Sequence, residues 1–133
     1  MNIIVLLAMF CSSALAFLSN KGRRPLHLLQ KRLFASPKET AEALINGNKI
    51  MVFSKTFCPH SKKAKAAIGE LTPQFGIMEL DVAPDGADVQ AALLELTGQK
   101  TVPNVFVNGK HVGGCDTTLA AIASGEFQKM IQT

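Results

Sequence analysis

The chain has 133 residues, 47% of them hydrophobic and 18% charged, which suffices for one compact domain and excludes two of ordinary size. The formal charge of +4 is unevenly placed: residues 1–36 carry Lys21, Arg23, Arg24, Lys31 and Arg32 with no acid before Glu39, whereas residues 37–133 hold nine Lys against ten acids, a balance of −1. Such a body lacks the broad basic surface that a nucleic-acid partner requires. Three cysteines without Trp or Tyr exclude a disulfide-stapled miniprotein, because Cys11 lies in an apolar stretch and leaves only Cys58 and Cys115.

Ile3 to Cys11 is an unbroken apolar run, followed by Ser12-Ser13 and the small-residue pattern Ala14-Leu15-Ala16. This order predicts a signal peptide over 1–16, cleaved after Ala16. The run is well short of the ~18–20 residues that a membrane span needs. Residues 17–37 are basic and free of acids, with Leu26, Leu28, Leu29 and Leu33 giving partial amphipathicity, the composition of a transit peptide. Two addresses in series, with Phe17 first after the cleavage site, resemble the bipartite plastid leaders of algae with complex plastids. The resemblance implies a mature protein that starts within 17–37 and resides in the plastid stroma, free of membrane. The alternative is a secreted protein with a basic, disordered start.

From Pro37-Lys38-Glu39-Thr40 a helix is predicted, with Ala41, Leu44 and Ile45 on its apolar face and Asn46-Gly47-Asn48 as its stop. Ile50 to Phe53 is continuous apolar sequence, as in a strand covered on both faces. After a loop from Ser54 to Phe57, Ala64, Ala67, Ile68 and Leu71 recur at helical spacing up to Thr72-Pro73. Phe75 to Val82 reads as a second strand. A third helix carries Val89, Ala92, Leu93 and Leu96 and stops at Gly98. Val105-Phe106-Val107 and Lys110 to Val112 flank Asn108-Gly109, a strong hairpin signal, and Gly113-Gly114 closes the fourth strand. Thr117 to Met130 supplies a last helix with Leu119, Ile122 and Phe127. The order α-β-α-β-α-β-β-α predicts an α/β domain over 38–133, its four-stranded mixed sheet combining a parallel β-α-β half with an antiparallel hairpin.

Cys58 stands where a buried strand has ended and a helix begins, with Pro59 in the first helical position, where its missing N–H does no harm. Free N–H groups of the first turn, together with Lys55 and Lys62, favour thiolate over thiol. An inert buried cysteine would need an apolar setting instead. Cys115 follows two glycines at a strand end rather than opening a helix, and so lacks these activating features. His27 and His111 have no companions at metal-ligand spacing, so no metal site is expected.

Lys55-x-x-Cys58-Pro59-His60-Ser61, then Thr101-Val102-Pro103, then Gly113-Gly114-Cys115-Asp116 resemble the motifs of the glutaredoxin family in order and approximate spacing. The resemblance implies a thioredoxin-like fold, glutathione as co-substrate and glutathionylated proteins as partners of a monomeric thiol-disulfide oxidoreductase. The commoner Cys-Pro-Tyr-Cys has become Cys58-Pro59-His60-Ser61, so the resolving cysteine is missing and a one-thiol cycle on Cys58 is implied. Carried over by position, Lys55, Gln90 and Lys100 would hold the glycine carboxylate of glutathione. Thr101 and the Val102-Pro103 backbone would hold its cysteinyl part, in the manner of an added strand. Cys115 and Asp116 would hold the γ-glutamyl end, with His60 flanking the ligand where the family has an aromatic residue. Lys62, Lys63 and Lys65 read as a solvated helix face that also draws in the anion. Two other functions compete. One is a carrier of a [2Fe–2S] cluster held between two protomers by Cys58 and glutathione, against which Pro59 argues, since cluster-holding members of the family usually have Gly or Ser there. The other is a pure protein-binding module.

Overall fold

Residues 35–133 are described by a computed structural model of the chain. The leader expected in residues 1–16 and 17–37 lies almost wholly outside them. The folded unit runs Ser36–Thr133. Its first helix, α1 (Pro37–Gly47), starts at a reciprocal cap: Ser36 Oγ accepts from the Glu39 N–H at 3.2 Å, and Glu39 Oε2 accepts from the Ser36 N–H at 3.0 Å. Ser36 and Pro37, grouped with the leader on composition, thus belong to the domain. Asn48 ends the helix by donating its side-chain amide to Leu44 O at 2.8 Å.

β1 (Ile50–Ser54) is buried at every position and lies inside a four-stranded sheet of order β2-β1-β3-β4. β2 (Gly76–Glu79) runs parallel to it and β3 (Asn104–Val107) antiparallel, while β4 (Lys110–Gly113) pairs antiparallel with β3. The β3–β4 turn has Asn108 at φ 49° and Gly109 at φ 79°, the pair of positive values that a tight two-residue hairpin requires.

Strand alternation sends β1 side chains into two separate cores. Met51 and Phe53, with Phe106 of β3, pack against Ala41 and Ile45 of α1 and Val89 and Leu93 of α3 (Gly86–Thr97). Phe53 and Phe106 meet edge to face, with centroids 5.9 Å apart at 86°. On the other face Ile50, Val52, Val105 and Val107 meet Ile68 of α2 (Pro59–Leu71) and Phe127, with Ala121 and Ile122 packed alongside. The continuous apolar run at 50–53 is therefore the mark of a strand with no solvent face.

The predicted bounds of β2 and of the last helix shift most. The second strand ends at Glu79 rather than Val82, because Glu79 O accepts from the N–H groups of Val82 and Ala83 at 3.2 and 3.0 Å and turns the chain towards α3, leaving Val82 70% exposed. The last helix is two: α4 (Cys115–Ser124) and α5 (Glu126–Gln132) are separated by Gly125 at φ 80°, a conformation that halts a helix and suits glycine. The described order is therefore α-β-α-β-α-β-β-α-α. α4 also starts two residues before the expected Thr117, so Cys115 does open a helix. Among the described residues, no helix is long and apolar enough to cross a membrane.

Candidate active site

The strand-to-helix junction sets Cys58 as the N-cap of α2. Its backbone N–H bonds to Lys55 O at 3.1 Å, closing a turn between β1 and the helix. That turn is tied across the sheet edge: Thr56 N–H donates to Asp81 Oδ1 at 3.1 Å, and the Thr56 hydroxyl makes a short hydrogen bond to Asp81 Oδ2. The Thr56 hydroxyl first, helped by the N–H groups of Thr56 and Asp81 and the charge of Lys55, holds the Asp81 carboxyl below its ordinary value against desolvation.

The Cys58 thiol is held below the ordinary cysteine value. The Ser61 hydroxyl contributes most, followed by the Ser61 N–H. The His60 N–H and the Lys55 charge add to it, and burial opposes them. Ser61 Oγ is buried and meets no acceptor in full hydrogen-bond geometry, so its proton is free to turn to the sulfur as the sulfur becomes charged. An unpaired buried hydroxyl costs about 1–3 kcal/mol, and pairing it with a thiolate relieves that cost in the ionised state.

The Val102-Pro103 peptide is cis, and Val102 O lies 3.9 Å from Cys58 Sγ. Beside it opens a cleft of about 450 Å³. The cleft brings together six of the predicted residues, His60, Thr101, Val102, Pro103, Cys115 and Asp116. It adds Gln99, Gly114 and Thr117, which the sequence reading does not assign to the site, although Gly114 belongs to the third motif. Gln99 was legible only as a polar residue between the helix stop Gly98 and the Thr-Val-Pro motif. Gly114 and Thr117 matter because α4 begins here, with Gly114 as its N-cap. The unpaired first-turn N–H groups of α4 therefore line a cleft that also carries His60 of α2, so two helix N-termini favour an anion in one place.

Lys55, Gln90 and Lys100 do not line the cleft. Lys55 is half-buried and reaches the thiol only through its charge, Lys100 is exposed on the loop, and Gln90 is half-buried with its side-chain amide donating to Lys100 O at 2.9 Å. Lys65 leaves the solvated face expected of it. It pairs with Glu79, whose other oxygen accepts from the buried Ser54 hydroxyl at 2.5 Å. Cys115 opens a helix, yet burial first and then the negative charge of Asp116 push its thiol up, with the charge of Lys63 opposing them. Among the described residues no three His, Cys, Asp or Glu side chains are grouped to hold a metal.

The family model described as Glutaredoxin matches residues 50–112. The chain is 52% identical over 94 residues to Glutaredoxin-1 of Rhizophagus irregularis, covering 71% of this chain and 93% of that protein. It is 46% identical over 96 residues to monothiol glutaredoxin-S6 of Oryza sativa subsp. japonica, covering 72% and 73% respectively. Among solved structures, the buckwheat glutaredoxin–glutathione complex superposes with a TM-score of 0.70 at 42% identity, over 72% of this chain and 87% of that one. The mixed four-stranded sheet with helices on both faces is a thioredoxin-like fold.

Proposed function

The chain belongs to the glutaredoxin family, and from that premise we propose that it reduces protein–glutathione mixed disulfides by a one-thiol cycle on Cys58. The observation that carries the reading is the Cys58 thiol, held acidic at the α2 N-cap by the hydroxyl of Ser61, the residue that stands where a resolving thiol would be. A hydroxyl at that position stabilises the thiolate and cannot close a disulfide.

In the first half-cycle the Cys58 thiolate attacks the glutathionyl sulfur of the substrate. The new Cys58–glutathione S–S bond forms as the old one breaks, and the client protein leaves as a thiolate that takes a proton from water. In the second, a glutathione thiolate attacks the sulfur of the glutathione held on Cys58, and the bond to Cys58 Sγ breaks as the new one forms. Oxidised glutathione leaves, and the Cys58 thiolate is restored. One mixed disulfide and one free glutathione give one protein thiol and one oxidised glutathione, whose second half came from the substrate, so electrons balance without a second protein thiol.

The ligand's place follows from the cleft. The γ-glutamyl carboxylate suits the open N–H groups of α4 at Cys115 and Asp116, and its ammonium suits the Asp116 carboxylate. The cysteinyl part lies along the Val102 peptide. Its N–H can take Val102 O once Cys58 has lost the proton that now bonds there. The glycine carboxylate extends towards Lys55, Lys100 and the second amide proton of Gln90, outside the cleft proper.

The test is turnover of a small glutathione mixed disulfide by wild type and Cys58→Ser. Turnover by wild type and its loss in the variant are expected, and full activity without Cys58 ends the proposal. Anaerobic cluster reconstitution accompanies it: a stable brown dimer would assign a [2Fe–2S] carrier instead. We place the monomeric mature protein in the plastid stroma, where a glutathione-consuming reductase finds the reducing conditions it needs. Recovery of mature protein from the medium would overturn that placement.

A further inference from the structure

The loop between α3 and β3 presents four consecutive carbonyls, Lys100 to Pro103, each with an identifiable donor. Gln90 Nε2 donates to Lys100 O at 2.9 Å. Gln99 Nε2 donates to Thr101 O at 3.0 Å and to Pro103 O at 2.9 Å, which uses both of its amide protons. The remaining carbonyl, Val102 O, faces the Cys58 sulfur at 3.9 Å. Gln99 thus grips the residue on each side of Val102 and leaves the carbonyl between them turned to Cys58.

Gln99 is itself held. Its backbone N–H donates to Thr97 Oγ1 at 3.1 Å, and that hydroxyl donates to Leu93 O at 2.7 Å, anchoring the side chain's base to the last turn of α3. The far end lies against the α4 N-cap: a Cβ built on Gly114 would stand 3.6 Å from Gln99 Nε2 and 3.8 Å from Pro103 O, ordinary contact. One side chain therefore spans the gap between α3, the cis-proline loop and the start of α4.

We infer that Gln99 is a positioning residue for glutathione: by holding the Thr101 and Pro103 carbonyls it sets the Val102 edge level with the Cys58 sulfur. With both amide protons spent on the loop it donates nothing to the ligand, so its effect passes through the backbone. The inference rests on the proposed lie of glutathione along that edge. It leaves the acidity of Cys58 to Ser61, the α2 N-terminus and Lys55.

The test compares wild type with Gln99→Met, which is close in length and lacks a donor. Affinity for S-methylglutathione, an unreactive stand-in for the glutathionyl half of a mixed disulfide, is read by calorimetry. The pH profile of Cys58 alkylation is read in parallel. Binding should weaken by about three- to tenfold, the worth of a hydrogen bond or so, with the alkylation profile unmoved. Equal affinity in both proteins overturns the inference alone. A shifted alkylation profile does the same, since the residue would then act on the sulfur or on the whole fold. If the wild type does not bind S-methylglutathione, the inference falls together with the glutathione reading. Should Gln99→Met fail to fold, Gln99→Asn keeps the amide but withdraws it by one methylene, and wild-type affinity in that variant overturns the inference as well.

Discussion

The Cys58 sulfur and the Val102 carbonyl oxygen lie 3.9 Å apart across 44 residues of sequence, which puts the thiol within donating reach of that peptide edge. The contact has two opposed consequences. It stabilises the thiol slightly, because ionisation leaves a carbonyl dipole facing a negative sulfur. It also frees Val102 O whenever Cys58 loses its proton, either as thiolate or as mixed disulfide, so the edge opens to a ligand N–H when the sulfur is ready to react or has reacted.

A first prediction concerns the two described cysteines. Cys58 is partly exposed with its thiol lowered, and Cys115 is buried with its thiol raised. Iodoacetamide at neutral pH should therefore alkylate Cys58 and spare Cys115 until the protein is denatured. Peptide mapping by mass spectrometry checks this. Comparable labelling of both residues in the native state would contradict the assignment of their environments.

Ser61→Ala tests the hydroxyl that does most to lower the Cys58 thiol. Removing it destabilises the thiolate, so the alkylation midpoint should move up in pH, by a fraction of a unit to about one unit for a bond worth roughly 1 kcal/mol. The reaction at pH 7 slows accordingly, while the higher-pKa thiolate is intrinsically more nucleophilic and offsets part of the loss. Most glutathione-dependent turnover should survive. A midpoint that stays put would mean that backbone N–H groups alone set the acidity.

Much of this architecture was legible because periodicity reports burial. Ile50 to Phe53 announced a strand feeding two cores, and Asn108-Gly109 announced a hairpin whose backbone has the required positive φ values. The reactive cysteine was equally plain, since Pro59 marks the start of α2 directly behind it. What stayed hidden depends on groups distant in sequence. The end of β2 is decided by a turn onto Glu79 and by the bond of Asp81 to Thr56, 25 residues away. The start of α4 at Cys115, which turns a strand end into a second anion-favouring helix terminus, carried no capping side chain to announce it. Lys65 looked like its exposed neighbours until Glu79 was placed opposite.

Gly86 is a close-approach position whose replacement should be severe. A Cβ there would stand 1.8 Å from Leu80 O, a backbone atom that cannot swing aside. Gly86→Ala must therefore push the turn after β2 away from the start of α3, displacing Leu80 and Val89 in the core. We expect a loss of about 3 kcal/mol or more, beyond the ~1–3 of ordinary overpacking, read by urea unfolding. A loss under about 1 kcal/mol would show that the turn relaxes freely.

Phe127 is the fully buried side chain of α5, set against β1, β3 and α2 with Met130 and Ile131 packed alongside. Truncation to alanine should cost about 3–5 kcal/mol, since it opens a cavity in the core between this helix and the sheet. The cleft lies at the other end of α4, so unfolding should shift to lower denaturant while Cys58 alkylation in the native state keeps its pH midpoint. A coupled change in both would place α5 in direct support of the site.

The Thr56–Asp81 tie carries a pH signature with a definite sign. The Asp81 carboxyl is lowered in the folded protein from its ordinary 3.8. Its stabilising contribution is therefore complete above that pH and is lost as pH falls through the folded value. Thr56→Val removes the hydroxyl that does most of the lowering and leaves the backbone N–H bond in place. Wild type should exceed the variant in stability at pH 7, and the gap should narrow as pH drops below 4. Because the tie pins the turn ahead of Cys58, the variant should also show a looser turn, read as faster amide exchange at Phe57 and Cys58. Urea unfolding at pH 7 and pH 3 decides the first point: a gap that stays constant or widens on acidification would mean that the hydroxyl stabilises the turn without engaging the Asp81 charge.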